Sequence, residues 1–146
     1  MPHRPRVNRR SGTTVSDRDY SRLLTVRTGL RKFERWSAEQ AAAHGLTASQ
    51  HQLLLAVRGH ADPKGPTISQ VADYLLIRHH SAVELADRTE KAGLIERIRD
   101  TDDHRAVRLR LSPAGDRVLT ALTSAHLEEL AQLTALFESL IGTLTR

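Results

Sequence analysis

Thr67-Ile68-Ser69-Gln70-Val71-Ala72-Asp73-Tyr74-Leu75, then Leu76-Ile77, then Arg78-His79-His80-Ser81-Ala82-Val83-Glu84-Leu85-Ala86-Asp87-Arg88: this stretch decides the fold. Thr67 and Gln70 have capping-box spacing, in which a hydroxyl and a side-chain amide satisfy two backbone donors at a helix start. A short helix therefore opens there and runs to about Leu75. A second runs from Arg78 to Lys91, with Gly93 beyond it to take the left-handed conformation that other residues avoid. Leu76-Ile77-Arg78 leaves room only for a tight turn between them. The period then changes. Leu94–Arg99 alternates like a strand, Ala106–Leu111 alternates again, and the polar loop Asp100-Thr101-Asp102-Asp103-His104-Arg105 joins the two. Helix, turn, helix and hairpin spell a winged helix-turn-helix.

Working outward, Thr47-Ala48-Ser49-Gln50 is a second capping box. It opens a helix carrying Leu53, Leu54 and Val57 that stops at Gly59. Asp62-Pro63-Lys64-Gly65-Pro66 is a loop by composition. From Ser16 to about Ala43, Leu23, Val26, Leu30 and Phe33 lie on one side of a helix that Ser16 or Asp17 caps and Gly45 ends. Ser112-Pro113 reads as an N-cap and first helical residue, since proline's missing N–H costs nothing there. The helix it opens reaches Leu144, with Leu130, Leu133, Phe137, Leu140 and Leu144 as a helix-packing seam. The expected fold is mainly α, in the order α-α-α-α-β-β-α. It divides into a basic tail (1–16, expected to be disordered), an N-terminal dimerisation helix (17–45), the winged helix-turn-helix (46–112) and a C-terminal dimerisation helix (113–146). The two long amphipathic helices exceed what the small domain needs for its core. Closed on each other within one chain they make a bundle; closed on a second copy they make an interlocked homodimer.

Composition narrows the function. The 146 residues fit one domain with an oligomerising arm, and zero Cys excludes disulfides, thiolate metal sites and thiol-based sensing. No apolar run approaches a membrane span, and Met1-Pro2-His3-Arg4-Pro5-Arg6 does not open a secretory signal, so a cytoplasmic protein without membrane contact is expected. The net charge is +5, and residues 1–18 supply most of it through Arg4, Arg6, Arg9, Arg10 and Arg18 against Asp17 alone. A basic tail on a balanced domain suits a polyanion, although a solvated tail with no partner has the same composition. Aromatic residues are only 3%, which argues against proteins that stack single-stranded bases on rings.

The candidate site follows from the architecture. A winged helix sends the first turn of its second helix into the major groove, and that turn is Arg78, His79, His80 and Ser81. Ordinary capping of a solvated helix is the alternative. Ala82, Leu85, Ala86 and Thr89 share a face that packs inward, while Arg88 either reaches a phosphate or pairs with Glu84 at i,i+4. An arginine at a narrow hairpin tip suits the minor groove. Arg105 is that residue, with Asp103 across His104 spaced to orient its guanidinium through a bidentate pair. Arg97, Arg99, Arg108 and Arg110 contact phosphates or line a solvated strand face. No nucleophile elbow, metalloprotease motif or phosphate-cradling loop is present, and adjacent His79 and His80 diverge by about 100° on a helix and do not share a metal. No catalysis, cofactor or metal is expected. A winged helix used only for protein contacts is the rival reading. It would not need a polar helix head, and it would lack the salt dependence of phosphate binding.

Residues 20–142 resemble the MarR family of winged-helix transcriptional regulators. Leu46–Leu55, Thr67–Leu75, Arg78–Arg88, Lys91–Ile95, Asp100–Arg105 and Leu109–Gly115 carry the likeness in order. The resemblance implies a homodimer joined by its terminal helices on a roughly palindromic double-stranded DNA operator, with repression the expected sense. By likeness, Ser81 and its neighbours read the major groove, and Arg105 enters the minor groove with Asp103 holding it. The resemblance also implies release by a small aromatic acid or phenol bound between the dimerisation helices and the DNA-binding lobe. Arg35, Trp36 and His51 are the candidates for that pocket, with packing at the end of the first helix the alternative for Trp36. Thr101 stands where such wings often have proline, and the lack of Cys sets the chain apart from peroxide-sensing members.

Overall fold

The computed structural model describes residue 12 and residues 14–142. Most of the basic tail, with Arg4, Arg6, Arg9 and Arg10, and residues 143–146, with Leu144 of the expected seam, lie outside the described residues. Five helices and one hairpin follow in the expected order: α1 (Asp17–Ala43), α2 (Ala48–Gly59), α3 (Ile68–Leu75), α4 (His79–Lys91), β1 (Ile95–Arg99), β2 (Val107–Leu111) and α5 (Pro113–Gly142). None of the described helices is long and apolar enough to cross a membrane.

Side chains set the boundaries. Ser16, Thr47 and Thr67 each cap a helix through a reciprocal capping box, with Asp19, Gln50 and Gln70 as partners. Ser112 caps α5 without a reciprocal partner, accepting the Gly115 N–H at 3.1 Å while its hydroxyl donates to the Gly93 carbonyl at 2.5 Å. The strands pair antiparallel, Ile95 opposite Leu111 and Arg99 opposite Val107. Ile95 and Leu109 point inward and complete a core with Leu53 and Leu54 of α2, Val71 of α3, Leu85 of α4 and Leu119 of α5. Each such side chain stabilises the fold by about 1.5–3 kcal/mol on burial. That core fixes the wing against both helices of the helix-turn-helix.

One glycine sits where nothing larger fits. Gly65, at φ +88°, lies beside β2, and a Cβ there would meet the Leu109 carbonyl oxygen at 1.9 Å. The next residue, Pro66, accepts the Leu109 N–H at 2.8 Å, so the 62–66 loop is seamed to the wing strand. Gly93 also has positive φ, +77°, but open space around it.

Asp100, at the end of β1, ties the same loop to the wing. Its side chain is buried yet ionised, accepting the Asp102 N–H at 2.9 Å and the Arg108 Nε–H at 3.1 Å, with Lys64 Nζ 3.5 Å away. Lys64 also pairs with Asp102. The Asp102 amide is the main cause that lowers the Asp100 pKa to about 2. Arg108, the Asp103 amide and Lys64 add to it, and burial opposes it.

Gly65→Ala should cost about 3 kcal/mol of folding stability, from a backbone clash plus strain, whereas Gly93→Ala should cost about 1 kcal/mol, from strain alone. Equal losses in urea unfolding would contradict the seam. The Asp100 contribution is complete above the unfolded carboxyl value of 3.8 and is lost as pH falls toward about 2. Asp100→Asn should therefore melt several degrees below the parent at neutral pH and converge on it near pH 2. A pH-independent gap would contradict the ionised hub.

Candidate functional site

The head of α4 stands out from the lobe. Arg78 is the N-cap residue and makes no side-chain capping bond, so its guanidinium is not spent on the helix. Arg78, His79 and His80 are exposed and Ser81 is half-buried, while Ala82, Leu85, Ala86 and Thr89 pack inward as their spacing requires. His79 Nδ1 lies 3.4 Å from Ser69 Oγ, a long contact that leans the imidazole toward the start of α3. Arg88 and Glu84 are both exposed and form no ion pair within the described residues, so the i,i+4 alternative for Arg88 is not realised.

The wing tip carries Asp103, His104 and Arg105 on its surface, but one expected contact differs. Asp103 Oδ1 accepts the backbone N–H of Arg105 at 3.0 Å, and the Asp103 carbonyl accepts the Ala106 N–H at 3.0 Å. The carboxylate thus shapes the turn and does not grip the guanidinium, because a short acidic side chain reaches the amide two residues on more readily than the end of a long arginine. Arg105 extends from a turn whose geometry Asp103 sets.

Two wing arginines also depart from either sequence reading. Arg97 donates to Glu90 at 2.7 Å and to Asp87 at 2.6 Å, both on α4. Arg108 is partly buried against Asp100 and the Gly65 carbonyl. Neither faces a phosphate nor lines a solvated face; both clamp the hairpin to its neighbours. Arg110 is exposed, 4.0 Å from Glu96. Arg99 is exposed beside the tip and has no ion-pair partner in the described residues, which leaves it the freer of the four to meet an anion.

A cavity of about 910 Å³ lies among α1, α2 and α5, walled by Leu30, Phe33, Leu55, Leu127 and Leu130. Of the three residues expected in such a pocket, Arg35 and His51 line it. Trp36 does not; it packs on Phe33 and His126, with ring centroids 6.0 and 4.8 Å away. Sequence reasoning passed over Ser37 and His126, which line the cavity and are bonded at 2.6 Å. Nothing local marks them, since α1 and α5 meet only in the fold. Burial, and then the neighbouring His126, lower the His51 pKa.

Comparison with known proteins agrees with this architecture. A family model described as MarR family matches residues 44–106, from the end of α1 to the wing tip. The chain is 32% identical over 73 residues to YsmB of Bacillus subtilis, an uncharacterized HTH-type transcriptional regulator. That match covers 50% of this chain and 48% of YsmB, so the chain spans about half the length of that relative. It is 25% identical over 127 residues to the HTH-type transcriptional repressor MdtR of the same organism, covering 77% of this chain and 80% of MdtR. Its fold superposes on the Staphylococcus aureus MepR–DNA complex with a TM-score of 0.65 at 20% identity, over 90% of this chain and 96% of MepR. The helix-turn-helix, the wing and the long terminal helices give this chain the winged-helix fold of the solved structures it superposes on, and its residues 44–106 match the model of the MarR family.

Proposed function

We propose that this chain is a sequence-specific double-stranded DNA-binding regulator, acting as a homodimer on a pseudo-palindromic operator, with repression as its sense. One observation carries the reading. The exposed polar head of α4 and an arginine-tipped wing stand on the same lobe, held at a fixed offset by the Arg97 clamp. Arg78, His79, His80 and Ser81 contact base edges and flanking phosphates in the major groove, and Arg88 meets the backbone. Arg105 and His104 enter the adjoining minor groove, where negative potential concentrates over A·T-rich steps. Asp103 serves by shaping the tip. The tail arginines add sequence-independent phosphate contacts. MepR is recorded in complex with DNA and MdtR is named a repressor, which supports both the ligand and the sense.

The homodimer reading rests on apolar side chains that the single chain leaves in water. Leu24 is 64% exposed on α1 and Leu127 63% exposed on α5, with Leu23, Leu136 and Ile141 also exposed. Part of the expected seam closes within the chain, since Leu133 lies 3.8 Å from a Cβ built at Gly29 of α1. The remainder is a self-complementary stripe suited to a second copy. The cavity beside it suits a small aromatic or phenolic effector, with Arg35 at its wall for an acidic group.

Arg105→Ala should weaken operator binding by about 1–3 kcal/mol and relax preference at the outer positions of the site. Unchanged affinity in a fluorescence-anisotropy titration removes the wing from the mechanism. Sedimentation at micromolar concentration should give twice the 16.3 kDa chain mass, and a monomer would leave the exposed stripe unexplained.

A further inference from the structure

Where α1, α2 and α5 meet, an aromatic cluster stands apart from every residue assigned to DNA. His126 is its centre. Nδ1 lies 2.7 Å from the Leu122 carbonyl oxygen and Nε2 lies 2.6 Å from Ser37 Oγ. A carbonyl only accepts, so Nδ1 carries a proton, and the neutral ring accepts the Ser37 hydroxyl at Nε2. Because a hydroxyl both donates and accepts, Ser37 can turn and accept from Nε2 once a second proton arrives. Both nitrogens keep partners in either charge state. The Trp36 ring, 4.8 Å away, and the Phe33 ring, 6.0 Å away, offer π-electron density to the charged form.

His51 is placed differently. It is buried on α2, its ring 4.7 Å from that of His126, and it makes no side-chain hydrogen bond among the described residues. The charged groups lining the adjoining cavity are Arg31, Glu34 and Arg35 of α1, with His51 the titratable residue from α2 and His126 that from α5. Two arginines outweigh one glutamate, and Arg35 already pairs with Glu39 at 3.4 Å. The wall therefore offers no net negative charge to a second proton. One imidazolium is accommodated and two are not.

We propose that His51 and His126 form a proton-operated latch between the long helices and the DNA-binding lobe, closed when at most one ring is charged and opened when both are. Opening drives α2 from α5. Since α2 packs on α3, α4 and β2, the lobe then loses its fixed placement on the helical arms, and duplex affinity falls. The inference rests on the DNA-binding reading only for that last step. Added charge on the exposed His79, His80 and His104 would strengthen phosphate binding, which is the opposite sign.

Trp36 is the sole tryptophan, so its emission reports the charge on the ring beside it. Lowering the pH from about 7.5 to 4.5 spans the ordinary histidine range and the region below it into which burial pushes His51. Over that span Trp36 emission should titrate in the parent and stay flat in His126→Gln. Amide exchange in α2 should accelerate in the parent and stay unchanged in His126→Gln. Affinity for a mixed-sequence duplex should fall about fivefold more in the parent than in His51→Gln, a comparison in which the exposed histidines cancel. A flat parent emission, or α2 exchange that is the same at both pH values, overturns the latch. Those two readings need no DNA and no His51 variant, so they decide the latch even if His51→Gln fails to fold. Failure of duplex binding alone at both pH values would overturn the regulator reading instead.

Discussion

The guanidinium of Arg97 is the tie on which the reading surface depends. It leaves β1 and closes on Asp87 and Glu90 of α4, so the hairpin cannot swing without breaking two charge-assisted hydrogen bonds. On the other side of the sheet, Asp100 collects Arg108, Lys64 and the Asp102 amide. Between these anchors the wing is gripped from both flanks. A groove-reading protein needs this, because contacts in neighbouring grooves add only if their separation is set before binding. Surface ion pairs are individually weak. Here they act on a hairpin whose inner face, through Ile95 and Leu109, is already seated in the core, and they fix its angle more than they add stability.

Much of this was legible from local chemistry. Thr47 with Gln50, Thr67 with Gln70, Ser112 before Pro113, and Gly45 and Gly93 past their helices each announced a boundary that the structure keeps, because capping is decided within four residues. The inward face of α4 was legible from its spacing. The strand ends shifted by one residue, and the turn between α3 and α4 hid a surprise. Leu76 takes a left-handed φ of +55° while 90% exposed, a conformation usually left to glycine, and nothing in the residue announces it. Arg97 and Arg108 were unreadable for a different reason. Alternation says which face a strand residue occupies, not which acid on another element waits for it. The spacing of Asp103 places it in the right turn but does not reveal that its partner is the Arg105 amide and not the guanidinium. The His51–His126 contact joins helices that only the fold brings together.

The helical arms and the lobe share one economy of surface. Apolar groups left open on α1 and α5 suit a second copy, and the cavity between them and α2 lies where any shift of arm against lobe must pass. In the proposed dimer the arms would fix the distance between the two lobes, and events in the cavity would then translate into half-site spacing. Ligand entry and histidine protonation would act through that same joint.

Sequence selection from random duplex DNA tests the central claim most directly. A clamped head and wing on a two-fold dimer predict two inverted half-sites about one helical turn apart, each with an A·T-rich segment at one unvarying distance from its specific bases. Selected sites in which that distance varies freely, or which contain a single unpaired half-site, would contradict it.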